Sequence, residues 1–257
     1  MHHKKISVII PCYNASKTIS RAINSVLQQF YPIFEIICID DNSKDNTVEI
    51  LEKEFDNIIL IKNKKNVGAA KSRNIGMNKA KGDFIAFLDS DDIWYSNKIE
   101  IQIQYIIKFN LVFIGSTFSI NEIKQLNNSE YSYKLLFLYK LALSNKLSTS
   151  SVIIKNINIK FDERMRYAED YDLWLRITKF YPNDAGFIIQ PLVSLGKHNY
   201  SISGLSSHLL KMERGELLAL KNNLGYYKHI FQFFSLIKFL RRLIIVYILK
   251  NKCIKNN

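Results

Sequence analysis

The chain has 257 residues, 47% of them apolar and 12% aromatic, which is enough to bury a sizeable core and is not a disordered composition. Only 9 Gly and 4 Pro exclude collagen-like and linker-rich architectures, and 3 widely spaced cysteines without a CxxC argue against a disulfide framework or a cysteine zinc site. The 36 Lys and Arg against 23 Asp and Glu leave a net charge of +13, and the residues from Tyr226 onward hold seven of the cations and no acid. Such a balance points to nucleic acid, an anionic membrane or phosphorylated ligands as partners. The apolar run Ile6–Ile10 stops at Pro11 and is too short for a signal core. No stretch of about 20 uninterrupted apolar residues predicts a spanning helix.

In chain order, Ile6–Ile10 reads as a buried parallel strand, and Ser16 as the N-cap of a helix carrying Ile19, Ala22, Ile23, Val26 and Leu27. Phe34–Ile39 is a second strand ending in Asp40 and Asp41, and Ser43 or Asp45 opens a helix to about Glu54. Ile58–Ile61, a helix over Gly68–Lys79 and the strand Asp83–Leu88 follow, the last running into Asp89-Ser90-Asp91-Asp92. Beyond residue 110 the pattern predicts strands at Leu111–Phe118, Ser150–Ile154 and Phe187–Leu195. Helices are expected at Tyr131–Ser144, Glu169–Phe180, about Leu205–Leu220 and about Ile230–Lys250.

Strand and helix alternate through the first ninety residues, which argues an α/β fold with an open, mostly parallel sheet flanked by helices and a helical C-terminal appendage. The expected division is a catalytic unit over 1–204 and a basic amphipathic helical region over 205–257. Ligands of such sheets sit beyond the carboxyl ends of the strands. Tyr13-Asn14, Asp40-Asp41 and Asp89–Asp92 all fall there. A dinucleotide fingerprint is excluded, because the first strand–helix turn, Pro11 to Ser16, has no glycine to admit a pyrophosphate. A P-loop lysine motif is missing as well. Two carboxylates in the D-x-D at Asp89 and Asp91 suit a hard divalent cation, Mn²⁺ or Mg²⁺, which takes oxygen ligands from one or two acids and from substrate phosphates.

Five segments, Val8–Asn14, Asp40–Asp45, Asn66–Gly76, Gly82–Asp92 and Ala168–Arg176, in this order and spacing closely resemble glycosyltransferase family 2. The resemblance covers about residues 5–200 and implies a GT-A fold, Rossmann-like, that transfers a sugar from a nucleotide-diphospho-sugar, UDP- or dTDP-linked, with inversion. It places Pro11, Tyr13 and Asn14 around the nucleoside, and Asp40 on the base edge with Asp41 as the alternative. Arg73 borders base or diphosphate. Asp89 meets ribose or a metal-bound water, with Ser90 beside it, and Asp91 ligates the metal. Asp170 matches the catalytic base, and His198 in the later His-x-x-Ser-x-Ser segment approaches the diphosphate or the metal. Glu169 and Asp172 read as orienting residues and Trp174 as core.

The resemblance and the Lys/Ile/Asn-rich composition together suggest a bacterial enzyme of surface-polysaccharide or lipopolysaccharide synthesis. Its acceptor would be a glycan or lipid-linked glycan. In the tail, Lys238, Arg241 and Arg242 interrupt a very apolar helix and share one face, which suits the headgroups of an anionic membrane surface. The expected location is therefore cytoplasmic, peripheral on the inner face of the plasma membrane. A non-catalytic sugar-nucleotide-binding scaffold is the alternative function. Nucleic acid is not expected as a partner, because no recognition motif accompanies the charge.

Overall fold

The fold, taken from a computed structural model, describes residues 3–120, 131–196 and 208–255, with side chains described as far as 244. β1 (Ile6–Cys12) is buried on both faces, as a β-branched run in the middle of a sheet must be. It pairs in parallel with β2 (Glu35–Asp40), and β2 with β3 (Ile59–Lys62). On its other side β1 pairs in parallel with β4 (Phe84–Phe87). The crossovers are α1 (Ile19–Leu27), α2 (Thr47–Glu54) and α3 (Ala69–Lys79). Alternate residues of β1 feed two cores: Val8 and Ile10 pack with α1 and Leu51 of α2, and Ile9 packs with α3. Gly76 makes the second packing possible. A Cβ there would lie 2.7 Å from Ile9 and 2.8 Å from Ile39, so only glycine lets α3 settle this close to the sheet.

The sheet continues through β8 (Ile153–Lys155), β6 (Phe113–Ser119), β9 (Ala185–Ser194) and β5 (Ile93–Trp94), giving the order β3-β2-β1-β4-β8-β6-β9-β5. β7 (Tyr133–Leu135) pairs with β9 off this path. β6 and β9 run parallel to each other, while β5, β7 and β8 run against their neighbours. Most described strands thus share one direction, with the antiparallel ones confined to the half after β4.

Several local expectations change here. The helix expected over Tyr131–Ser144 is instead β7 followed by the short α5 (Leu138–Leu143). Tyr133 stacks on Phe109 at 4.6 Å and on Tyr105 at 5.2 Å, and that aromatic packing decides the conformation over helix propensity. α4 (Lys98–Phe109), which carries Tyr105 and Phe109, and β5 were not foreseen. Ser16 does not cap α1. Thr18 holds the cap position, and the Ser16 N–H donates to the Asp45 carboxylate. Asn46 holds the cap position of α2, and Asp45 just before it accepts from the N–H and hydroxyl of Thr47, so it braces the turn into the helix.

α6 (Glu169–Phe180) buries Leu173, Trp174 and Ile177 under the sheet. α7 (Leu209–Asn223) adds Ala219 and Leu220 to the same core, and its Asn223 donates to Asp172 at 2.9 Å. Asp172 also accepts from Arg176, so it orients helices, as expected of it. α8 (Lys228–Lys255) then packs along α7. Among the described residues no helix is long and apolar enough to cross a membrane.

Candidate active site

The carboxyl ends of β1, β2 and β4 open into one cleft of about 960 Å³, within the size range of ligand pockets. Pro11, Tyr13 and Asn14 line it beyond β1, and Tyr13 is half exposed there. Asn14 has a left-handed backbone (φ 50°), which asparagine tolerates better than most residues. Its N–H donates to Ser43 Oγ, and its Oδ1 accepts from the Lys44 N–H at 2.8 Å, so it ties the β1 loop to the β2 loop.

The two acids after β2 separate. Asp41 borders the cleft and Asp40 does not. Asp40 is buried, with Oδ2 accepting from the Ser43 N–H at 3.2 Å. Asp41 accepts from the N–H groups of Val67 and Gly68 and from Asn63, which anchors the turn leading into α3. Gly68 can make that turn because its φ is 88°.

Arg73, on the first turns of α3, is 6% exposed in its side chain and lies between two acids. One guanidinium nitrogen donates to Asp89 at 2.7 Å and the other to Glu169 at 3.0 Å. Burial works against its charge, but Asp89 and Glu169 outweigh it and hold the guanidinium above its ordinary pKa. Phe161 supports the group from below at 5.4 Å. Asn74 holds Phe161 in turn, donating to its carbonyl at 3.0 Å and accepting from its N–H at 2.9 Å. The Arg-Asn pair therefore acts as one device, with Asn74 fixing the shelf on which Arg73 lies.

Asp89, Ser90 and Asp91 all border the cleft. The Asp89 N–H donates to Ser150 Oγ, and the Ser150 hydroxyl donates to Asp92 at 2.5 Å. Asp92 also accepts from the Gly196 N–H, and burial and the charge of Asp89 push its pKa up to about 7. Gly196 must be glycine, since a Cβ there would lie 1.9 Å from the Asp91 carbonyl oxygen.

Across the cleft stands Asp170, on the first turn of α6. Ala168 immediately before the helix is left-handed (φ 56°), a conformation that costs an L-residue about 1–2 kcal/mol and marks a built position. Asp170 accepts from the Tyr171 N–H at 2.7 Å and from the Thr149 hydroxyl at 3.2 Å. Burial raises its pKa above the usual carboxylate range, and Arg73 pulls it partly back. Glu169 is raised by burial and lowered by Arg73 in the same way. Trp174 is fully buried in the core.

Pro11, Tyr13, Asn14, Asp41, Arg73, Asp89, Ser90, Asp91 and Asp170 are thus brought to one cleft. His198 lies outside the described residues. Among the described residues no group of three His, Cys, Asp or Glu forms a ready metal cage. The donor set still fits a hard cation that takes two carboxylates and fills its remaining positions from substrate oxygens and water. Sequence reasoning missed Thr149 and Ser150, although the polar run Thr149-Ser150-Ser151 at a strand start was a usable signal. It also missed Leu209, Met212 and Glu216, which line the cleft from α7 and carry no local signal, and it assigned Arg242 to membrane headgroups where the structure places it on the cleft.

The family model for "Glycosyl transferase family 2" matches residues 7–166. The chain is 36% identical over 216 residues, 80% of its length and 81% of the relative's, to UDP-Glc:alpha-D-GlcNAc-diphosphoundecaprenol beta-1,3-glucosyltransferase WfgD of Escherichia coli. The crystal structure of S. aureus TarS 1-349 in complex with UDP-GlcNAc has a TM-score of 0.67 at 23% identity, covering 89% of this chain and 70% of that one. A mannosyltransferase from Pyrobaculum calidifontis in complex with GDP-Man and Mn2+ reaches 0.67 at 13% identity, covering 96% and 76%. These two likenesses establish the fold, and the family model and the E. coli relative establish the lineage. The chain belongs to glycosyltransferase family 2.

Proposed function

We propose that the protein is an inverting, divalent-metal-dependent glycosyltransferase that moves a sugar from a UDP-linked donor to a hydroxyl of a lipid-linked glycan. The observation that carries this reading is Arg73, which joins the strand-end acid Asp89 to Glu169 beside Asp170, so that both acids face one cleft. The E. coli relative, named for a UDP-Glc donor and a diphosphoundecaprenol-linked acceptor, supports the substrate class. In this reading 1–204 is the catalytic unit and 205–257 completes its acceptor side against the membrane.

Pro11, Tyr13 and Asn14 frame the nucleoside, with the Tyr13 ring available to cover it. Asp41 rather than Asp40 takes the base edge, because only Asp41 borders the cleft. Asp91, with Asp89 and Ser90 beside it, would hold Mn²⁺ or Mg²⁺ against the donor diphosphate, where the ion offsets the charge of the leaving group. Arg73 fixes Asp89 and Glu169, so neither carboxylate has to reorganise during the reaction. Asp170 accepts the proton of the acceptor hydroxyl as that oxygen attacks the anomeric carbon. Its raised pKa makes it a stronger base than an ordinary aspartate. Attack from the face opposite the leaving diphosphate inverts the configuration.

The test is donor binding and turnover across UDP- and dTDP-sugars, with Mn²⁺, Mg²⁺ or chelator, for wild type, Asp91→Ala and Asp170→Asn. Metal-dependent binding lost in Asp91→Ala, and kept without turnover in Asp170→Asn, is expected. Wild-type protein that binds none of the donors with either metal overturns the reading.

A further inference from the structure

α8 has two opposite faces, and they are not arranged as its charge pattern suggests. Ser235 and Phe239 are buried against α7, and Lys238 and Arg242 beside them are half-buried. Arg242 donates to Glu216 at 2.7 Å, and Ser235 to Glu213 at 3.0 Å. Lys238 and Arg242 are thus on the α7 side, near the acids Glu213 and Glu216, while Arg241 is on the exposed side. Arg242 and Glu216 also border the same cleft as Asp91 and Asp170.

The opposite face is exposed and mostly apolar, with Arg241 as the one cation within it among the described side chains. Ile230, Phe233, Phe234, Ile237, Leu240 and Ile244 follow one another at helical spacing, with Phe233 62% and Leu240 and Ile244 60% exposed. Singly exposed apolar residues are ordinary, but a stripe of this size with a single cation in it marks an interaction surface, and Arg241 suits the headgroups of an anionic leaflet. Its chemistry selects the occupant. From Tyr226 onward the chain has seven cations and no acid, so a second copy docked here would bring like charges together, whereas an anionic bilayer neutralises them. The geometry agrees. An amphipathic helix sinks its apolar face about 5–10 Å into the acyl boundary, and a helix is about 10–12 Å across. The side bearing Arg242 then stands at the height of a lipid diphosphate.

We propose that α8 lies in the surface of an anionic bilayer on the stripe from Ile230 to Ile244, and that Arg242 on its other side engages the diphosphate of a membrane-anchored sugar-diphospho-lipid acceptor. This rests on the glycosyltransferase reading above and adds to it the surface and the residue that select a diphospho-lipid. Guanidinium donors suit that group, since diphosphate oxygens accept charge-assisted pairs of hydrogen bonds.

The full chain is tested by flotation with vesicles of phosphatidylethanolamine and phosphatidylglycerol, or of phosphatidylcholine alone. Wild type is expected to float with the anionic vesicles. The triple variant Phe233→Ser, Ile237→Ser, Leu240→Ser is expected to lose binding by more than ~100-fold, since three large apolar groups leave the acyl region. Its donor hydrolysis in solution stays at the wild-type rate. A variant that floats like wild type overturns the proposal, and so does a wild-type dimer that the triple variant converts to monomer. For Arg242→Gln and Arg242→Lys the readout is transfer to GlcNAc joined through a diphosphate to a short, water-soluble prenyl chain, against transfer to a GlcNAc glycoside without diphosphate. Arg242→Gln should raise KM for the diphosphate acceptor by about tenfold with kcat unchanged, and Arg242→Lys should restore part of it. An equal effect on both acceptors overturns the subsite. Flotation does not depend on turnover, so failure of the enzyme reading shows separately, as wild type that floats but hydrolyses no donor.

Discussion

The two walls of the cleft are built in different ways. On the strand-end wall, Pro11, Tyr13, Asn14, Asp41, Asp89 and Asp91 each lie at or within a few residues of the end of a parallel strand. On the facing wall, Thr149, Asp170, Glu216 and Arg242 come from a short 3-10 turn, a helix start and two C-terminal helices. A parallel sheet delivers ligand-binding residues to one edge by topology alone. The facing wall has no such rule, and its residues meet only because α6, α7 and α8 pack in one arrangement. Arg73 spans the two through its buried guanidinium, and Ser150 of the 3-10 turn links them again through Asp89 and Asp92.

The largest effect expected from breaking this arrangement is chemical. Asp170→Asn should lower turnover by about 10²–10⁴-fold, the usual contribution of a general base, while donor affinity measured by calorimetry stays within error of wild type. Equal losses of affinity and turnover would instead make Asp170 part of the donor wall.

Removing the coupling residue should affect stability and pH dependence together. Arg73→Met leaves Glu169 and Asp89 without their buried partner and should cost about 3–5 kcal/mol in urea unfolding. The sign of the pH effect follows from the base. Asp170 works when deprotonated and its pKa is raised by burial, so activity climbs with pH through a value above the ordinary aspartate range. Arg73 is the charge that lowers it, so the variant's acid limb should move further up in pH. An unmoved limb would mean that Arg73 serves only the fold.

A smaller effect, confined to the strand-end wall, comes from Gly76→Ala. Its Cβ would meet Ile9 and Ile39 inside 3 Å, so α3 must lift from the sheet at about 1–3 kcal/mol, read as a lower melting temperature. Donor affinity should weaken with it, because Arg73 rides on the same helix.

The smallest effect concerns Asp45. Burial opposes its ionised form, but bonds from Thr47 and Ser16 prevail and lower its pKa to about 2. A depressed carboxylate contributes stability that is present above the unfolded-state pKa and is lost as pH falls toward 2. Asp45→Ala removes the acceptor of the Ser16 and Thr47 groups and should therefore cost about 1 kcal/mol at neutral pH and almost nothing near pH 2.

Much of the strand-end wall was legible in the chain itself. The runs at Ile6–Ile10, Phe34–Ile39 and Asp83–Leu88 are dense in apolar residues, and each leads within a few residues into a polar cluster, Tyr13-Asn14, Asp40-Asp41 and Asp89–Asp92. These are local signals, and local signals survive without knowledge of neighbours. The choice between Asp40 and Asp41 was not among them. Adjacent residues of a strand point to opposite sides, and only the turn before α3, with its free N–H groups at Val67 and Gly68, drew Asp41 toward the cleft. Asn74 could be seen as part of a motif, but its work on Phe161, 87 residues away, could not.

The amino-acid order thus decided the α/β alternation, the acids at the strand ends and the amphipathic nature of the C-terminal helix, because each is carried by spacing along one segment. Packing decided the rest. Tyr133 became a strand residue through its stack on Phe109, and α4 formed where no strong pattern announced it. Most telling is α8. Its helical wheel groups Lys238 and Arg242 with the buried residues and leaves Arg241 in the apolar stripe, but the wheel alone cannot say which side turns inward. Glu213 and Glu216 on α7 settle that, because buried acids must be matched by charge or hydrogen bond, whereas an apolar stripe can wait for a membrane.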